Sequence, residues 1–192
     1  MNLNKYQEMC LRTTPNGDQE RAQIYRLLST PTDVDYFDGL KEIHSLLGLM
    51  DEVGELANAI NNEDLPNIKE EIGDAFWYTA LGATANGVTL LSLAGQIKDV
   101  VLVNDPNVAL MDLMGFVASY ASASKKTIFY RKSTSCTEAL TGIVLCLLWL
   151  CDYYGFTVDE VLSDNQYKLQ QRYPENFTEE DAIERKDKED GE

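Results

Sequence analysis

Two long helical patterns joined by a very short link constrain this chain more than any other feature. Leu46, Leu49, Val53, Leu56, Ala57 and Ile60 recur at three- and four-residue spacing and make one apolar stripe. From about residue 68 to 85 a second segment, with Phe76, Trp77, Tyr78 and Leu81, is apolar nearly all round, as a buried central helix would be. Between them lies only Asn61-Asn-Glu-Asp-Leu-Pro66, a turn rich in helix breakers. The spacing predicts two helices folded back as an antiparallel pair.

No segment alternates with period two, so the chain reads as all-α. A first helix is expected over residues 4–12 and a weaker one over 18–28, with Pro31 and the polar stretch after it as a connection. The 192 residues suffice for one core, and no solenoid period or Gly/Ser linker divides them. We therefore expect a single domain over residues 1–177, followed by a charged tail, 178–192, that frays. The longest apolar run, residues 143–151, is too short to span a bilayer and reads as a core helix. The N-terminus lacks an apolar signal core. Cys10, Cys136, Cys146 and Cys151 form neither a C-x-x-C pair nor a zinc spacing, and the chain has one histidine. Reduced, buried thiols and a cytoplasmic setting are the expectation.

The helical pair carries two acidic signatures, Glu52-Val-Gly-Glu55 and Glu71-Ile-Gly-Asp74. Residues three apart share a helix face, so each signature aims two carboxylates in one direction, and two facing helices converge all four. An empty cluster of that kind repels itself, whereas a hard divalent cation takes oxygen ligands and shares them with substrate phosphates. With 32 Asp and Glu in the chain, such spacing also arises by chance, and solvated or helix-capping acids remain the competing reading. A formal charge of -16 argues against a nucleic-acid backbone as partner but is compatible with a cation-dependent enzyme.

The run from His44 through Glu52-Val-Gly-Glu55, followed by Asn67-Ile-Lys-Glu-Glu-Ile-Gly-Asp-Ala-Phe-Trp-Tyr78, resembles the MazG-like nucleotide pyrophosphohydrolases, especially their phage-type members. Asn165-Gln-Tyr-Lys168-Leu-Gln-Gln-Arg172 resembles that family's closing helix, and Tyr6-Gln7 with Arg12-Thr13 its N-terminal helix. The resemblance implies a helical bundle of the all-alpha NTP pyrophosphatase type and hydrolysis of a nucleoside triphosphate between its α and β phosphates. The products are a monophosphate and pyrophosphate. It further implies Mg²⁺, with Mn²⁺ as a possible substitute, held by Glu52, Glu55, Glu71 and Asp74, and a place in the host cytoplasm for a phage enzyme. Such ions would neutralise phosphate oxygens and acidify a water, with Glu55 a candidate for the proton acceptor. Glu70 adjoins the second signature and replaces Glu71 as ligand if the register differs.

The middle of the chain aligns with the first part. Residues 113–124 lie over 49–60, so Val117 falls on Val53 and Ala121 on Ala57; residues 137–162 lie over 69–94, so Gly155-Phe-Thr-Val falls on Gly87-Val-Thr-Leu. This suggests a degenerate duplication, with an acid-bearing part at about 40–98 and a degenerate part at about 108–173. Phe116, Ser119, Ala139 and Gly142 stand where the acids would be, so the second part cannot hold metal. It carries instead Lys125-Lys-Thr-Ile-Phe-Tyr-Arg-Lys132, which resembles the family's basic and aromatic interhelical loop.

One chain would then imitate a dimer with a single site, or assemble further as a homo-oligomer. Asn165, Lys168 and Arg172 share one helix face and suit phosphate contact, as do Lys125, Lys126, Arg131 and Lys132. Tyr130 or Trp77 could stack on a base, though large aromatics in bundles are more often core. For His44 a nucleotide contact and an interior packing role are equally open. No membrane partner is expected. Two alternatives stand: an all-α dUTPase- or dCTPase-like enzyme, and a catalytically silent helical binding or interaction module. Phage-type resemblance tilts the substrate toward a deoxyribonucleotide, dGTP or dATP.

Overall fold

The computed structural model describes residues 7, 17–28, 38–96, 105–130, 132–174 and 178–184. Among these it has eight helices and no strand: α1 (Gly17–Leu28), α2 (Gly39–Asn61), α3 (Leu65–Ala85), α4 (Leu90–Ala94), α5 (Pro106–Tyr130), α6 (Thr137–Tyr154), α7 (Val158–Arg172) and α8 (Glu179–Glu184). The all-α expectation holds. The helix expected over 4–12, with Tyr6, Arg12 and Thr13, lies outside the described residues apart from Gln7, as do Cys10, Pro31 and Arg131. Within the expected tail, Glu179–Glu184 forms a helical turn started by Thr178, whose hydroxyl accepts from the Asp181 amide at 3.0 Å, and residues 185–192 lie outside the described ones.

Local chemistry sets the α2–α3 hairpin. Asp38 caps α2 by accepting from the Lys41 amide, and Asp64 caps α3 by accepting from the Asn67 amide, with Pro66 in the first turn where its missing N–H costs nothing. The link is shorter than the breaker-rich stretch suggests, because α2 runs to Asn61 and α3 starts at Leu65. Glu63 turns the corner at φ 55°.

Four helices form the bundle. α2 packs on α3 and α5, and α6 packs on α3 and α5, around a core that includes Leu49, Leu56, Ile72, Leu113, Ile143 and Leu147. The α2–α5 pair is antiparallel: Glu42, near the start of α2, accepts hydrogen bonds from Tyr120 at 2.8 Å and Ser124 at 2.6 Å in the later part of α5. Helix α6 is longer than the apolar run at 143–151. By length and composition it could cross a membrane, but half of it is buried inside this bundle. Its packing against α3, α4, α5 and α7 makes it the core helix the sequence pattern anticipates.

The two helical ends repeat one device. After α3 and α6, Gly87 and Gly155 adopt left-handed φ of 66° and 74°, and the amides of Val88 and Phe156 bond back to Ala83 and Cys151 at 3.0 and 2.9 Å. Thr89 and Thr157 then begin α4 and α7 with reciprocal capping boxes. The helices exchange partners: α4 packs on α6, and α7 packs on α3.

Close packing at the centre of the bundle requires Gly82. A Cβ there would stand 2.5 Å from both Ser45 Oγ and Tyr120 OH. Gly82→Ala is expected to cost about 1–3 kcal/mol through overpacking, measured by urea denaturation, although alanine is the better helix former. A stability gain would show that the α2–α3 approach is looser than this.

Candidate metal centre

The α2–α3 hairpin brings three of the predicted acids together. Ligand oxygens of Glu52, Glu55 and Glu71 lie within 4.8 Å of one another, with Glu71 buried, Glu52 half-buried and Glu55 exposed. Glu71 is only 4 % exposed because α3 is the helix covered on most sides, by α2, α6 and α7. Its Oε2 is buried with no hydrogen-bond partner. A native protein seldom leaves such an acceptor bare, since the desolvation is uncompensated. A hard cation reached by three carboxylate oxygens fits that geometry and satisfies the orphaned atom.

Electrostatics describe the same strain. Burial pushes the Glu71 carboxyl well above its ordinary value of 4.5, and the hydrogen bond and charge of Glu52, then the charges of Glu55 and Asp74, add to it. Burial also raises Glu52; its hydrogen bond with Glu71 works the other way, while Asp74 and Glu55 raise it further. In the metal-free chain the pair therefore retains protons that an unfolded chain has released. Stability of the metal-free protein should fall as pH rises from about 4.5, and should continue to fall until the native pair has lost its own protons. Thermal melts in chelator across pH 5–9 check this by comparing the wild type with Glu71→Gln, whose curve should be flatter over that range. Identical curves would mean the acids are not repelling one another.

Asp74 has a different surrounding. Asn165 donates to its Oδ1 at 2.5 Å, and the Lys168 ammonium donates to its Oδ2 while also pairing with Glu70 at 3.0 Å. Burial pulls the Lys168 ammonium down, but Asp74 and Glu70 more than offset this and hold it above its ordinary value. The α7 helix can come this close because Gly73 faces it: a Cβ there would lie 3.1 Å from Asn165 Cβ. A cleft of about 240 Å³ between α3 and α7 is lined by Lys69, Glu70, Asp164, Asn165 and Lys168, among others. Lys69 ties the same helices together through Asp164 at 2.6 Å.

Not every expected residue joins this centre. Arg172 sits half-buried at the end of α7. Lys125 and Lys126 follow Ser124, which bonds Glu42, and Glu52 stands ten residues beyond Glu42, about 15 Å along the helix. The basic segment thus lies at the other end of α2 from the acids, because α5 runs antiparallel to it. Tyr130 is 67 % exposed at the end of α5, and Lys132 follows beyond it, its amide bonded to the Lys126 carbonyl.

Trp77 is not core: it is 39 % exposed and exposed His44 meets it edge-on, with the half-buried Tyr78, packed against the core, completing the trio at centroid separations of 4.9–6.0 Å. Tyr78 stands one helical turn beyond Asp74 on α3, which puts this trio beside the acids, and burial, then the charges of Glu52, Asp74 and Asp51, raise its phenol.

Sequence reasoning missed Glu42, fully buried and bonded by Tyr120, Ser124 and Asn86. The signal was present: extending the stripe of Leu49, Val53 and Leu56 back by two turns reaches Ser45 and Glu42.

Comparison with known proteins bears on the same residues. No curated protein and no solved structure matches the chain. Members of the family that does match are nucleoside triphosphate pyrophosphohydrolases and are metal-dependent. Residues 41–101, which carry all four acids, match the model of the MazG nucleotide pyrophosphohydrolase domain, and over this segment the chain is MazG-like.

Proposed function

We propose that this protein hydrolyses a deoxyribonucleoside triphosphate at the α–β phosphate bond, releasing a monophosphate and pyrophosphate, with Mg²⁺ held by Glu52, Glu55 and Glu71. The observation that carries the reading is the partnerless, buried Oε2 of Glu71 beside two further carboxylates, in the segment that matches the MazG model. A divalent ion held there supplies positive charge to phosphate oxygens and acidifies an attacking water.

The chain's own groups divide the remaining work. Glu55, the most exposed of the three, accepts the water's proton, while Glu52 and Glu71 stay fixed by the α2–α3 packing. Asn165 and Lys168 hold Asp74 in place, and Lys168 turns to a phosphate oxygen when the triphosphate arrives. Arg172, one turn further on, takes the distal phosphates as a planar fork. Trp77, half in water beside the acids, offers a face to the base with His44 at its edge. A purine, dGTP or dATP, is the favoured substrate, by resemblance to phage-type enzymes that act on the host nucleotide pool.

We further read the chain as a duplicated pseudo-dimer with one working site, its bundle spanning residues 40–98 and 108–173 in a single domain. Support comes from the repeated glycine and threonine caps after α3 and α6, and from the exchange by which α4 packs on α6 and α7 on α3. The same duplication favours an all-α dUTPase- or dCTPase-like enzyme as the second reading, because internal repetition resembles that group.

The test is an anion-exchange product assay over ribo- and deoxyribonucleoside triphosphates with Mg²⁺, and with a chelator as control. Monophosphate and pyrophosphate from a purine deoxynucleotide support the reading, whereas dUTP or dCTP turnover selects the alternative. Absence of turnover with either Mg²⁺ or Mn²⁺ would leave a silent binding module.

A further inference from the structure

On one side of the bundle α2 and α5 bound a groove of about 490 Å³, within the roughly 300–1,000 Å³ typical of small-molecule sites. Helix α2 lines it with Met50, Val53, Gly54 and Ala57, and α5 with Met114, Val117, Ala118, Ala121, Ser122 and Lys125. Spacings of three and four residues keep each set on one helix face. From Met114 to Lys125 is eleven residues of α5, about 16 Å of groove.

The α5 side of the lining is graded along its length. Met114, Val117, Ala118 and Ala121 are apolar, and Ser122 and then Lys125 close the stripe with a hydroxyl and an ammonium one turn apart. Lys125 is the one charged residue among the described lining. Apolar walls bind by burial and a few placed polar groups fix orientation, so a long apolar floor ending in one cation is complementary to an acyl chain with one anionic head. A polar ligand would find no bonding partner along the floor, and a wholly apolar one would gain nothing from the ammonium.

Gly54 keeps that floor low. At Gly48, Gly82 and Gly142 an added Cβ would strike Tyr78, Ser45 or Phe116, so the fold itself explains them, whereas at Gly54 it would meet nothing. Inside a long helix glycine is less stable than alanine, so packing within the chain does not call for it. A side chain at position 54 would stand in the groove instead. The rim is adaptable: Met50 and Met114 are 58 % and 54 % exposed, with Leu47 and Met111 one turn away at 62 % and 70 %. Methionines repack around ligands of varied shape, and contiguous exposed apolar surface marks a binding site.

Charge selects the head group and its direction. A chain of formal charge -16 repels anions over most of its surface. Arg21, Lys41, Lys69 and Lys168 are each paired with an acid. Lys125, Lys126 and Lys132 have no ion-pair partner among the described residues, and they gather at one place, since the Lys132 amide bonds the Lys126 carbonyl at 3.1 Å. Beyond Met114, at the other end of the α5 stripe, the next charge is an acid, Asp112. The field along the groove therefore turns an anionic head toward Lys125, and one lysine within the lining matches the single charge of a carboxylate.

We propose that the α2–α5 groove binds a long-chain carboxylate, its acyl chain over Val53 and Val117 and its head on Lys125, whatever the activity of the metal centre. Methionine-methyl NMR on the full chain, titrated with decanoate and with decanol as the uncharged control, reads the site directly, because two of the five methionines line it. Decanoate should shift Met50 and Met114 with a dissociation constant below about 1 mM. Lys125→Met should weaken decanoate about fivefold, the size of an exposed ion pair, and leave decanol unchanged. Ala118→Gln, a good helix former at an exposed position, puts an amide in the path of the chain and should weaken both by at least about tenfold. Unmoved Met50 and Met114, or shifts that survive Ala118→Gln, overturn the proposal. Equal decanoate affinity in the wild type and Lys125→Met overturns it too, by reducing the effect to apolar partition. Decanoate binding that appears only on dilution of a dimer, or only in Leu11→Asp, would give the groove to a second copy or to the chain's own N-terminal segment, and the proposal would fail.

Discussion

Replacing Glu42 with leucine is expected to lower stability by roughly 3–5 kcal/mol, a large fraction of the about 5–15 kcal/mol that holds a domain folded. The carboxylate is fully buried and receives four donors from three other parts of the bundle. Asn86 Nδ2 and Tyr120 OH donate to Oε2 at 2.6 and 2.8 Å; Ser124 OH and the Cys136 thiol donate to Oε1 at 2.6 and 3.5 Å. Burial and the neighbouring Glu42 charge raise the Tyr120 phenol, and the same two causes push the Cys136 thiol up to about 12, so neither gives up its proton.

Leucine would take the Glu42 acceptor from all four donors and leave them only their second contacts, Asn86 with the Gly82 carbonyl, Tyr120 with Ser45, Ser124 with the Tyr120 carbonyl and Cys136 with the Thr134 carbonyl, at up to about 1–3 kcal/mol for each buried group left short. Glutamine keeps the shape but turns an N–H₂ toward donors, so an intermediate loss is expected. Replacing Glu42, Tyr120 and Ser124 together with apolar residues should recover much of the deficit, because the donors go with the acceptor. Urea denaturation of the three variants separates these cases. A loss below about 1 kcal/mol for Glu42→Leu would show that water reaches the stranded donors.

The other large effect is opposite in sign for stability. Glu71→Gln should reduce hydrolysis and divalent-cation affinity by at least about 100-fold, as loss of a charged ligand does. In chelator at pH 8 it should stabilise the fold by on the order of 1–2 kcal/mol, because a buried acid that burial and three other carboxylates hold above its ordinary value becomes neutral. The gain should vanish near pH 4.5, where the wild-type acid is also protonated. Saturating Mg²⁺ should reverse the order, since only the wild type is stabilised by binding. Activity within a few-fold of wild type, or a loss of stability in chelator at pH 8, would remove Glu71 from the metal centre.

The long helices at the centre of this fold were legible in the chain itself, whereas the short α4 and α8 were not. Three- and four-residue apolar spacing marked α2, near-uniform apolarity marked α3 and α6, and Asp64 with Pro66 marked the turn, because these are local preferences of the backbone and of burial. The two acidic signatures were legible for the same reason: side chains three apart on a helix share a face wherever that helix goes.

Which acids meet was decided by tertiary structure. Glu52, Glu55 and Glu71 converge, while Asp74 turns to Asn165 and Lys168, because α7 packs against α3 at Gly73. The basic segment at Lys125 and Lys126 promised phosphate contacts in sequence, yet the antiparallel course of α5 carries it to the opposite end of α2. Glu42 looked like one acid among many, and only the meeting of four helices made it the acceptor at their junction. Local pattern fixes the elements and the faces they present; the partners of a charge depend on contacts between residues tens of positions apart, which periodicity does not encode.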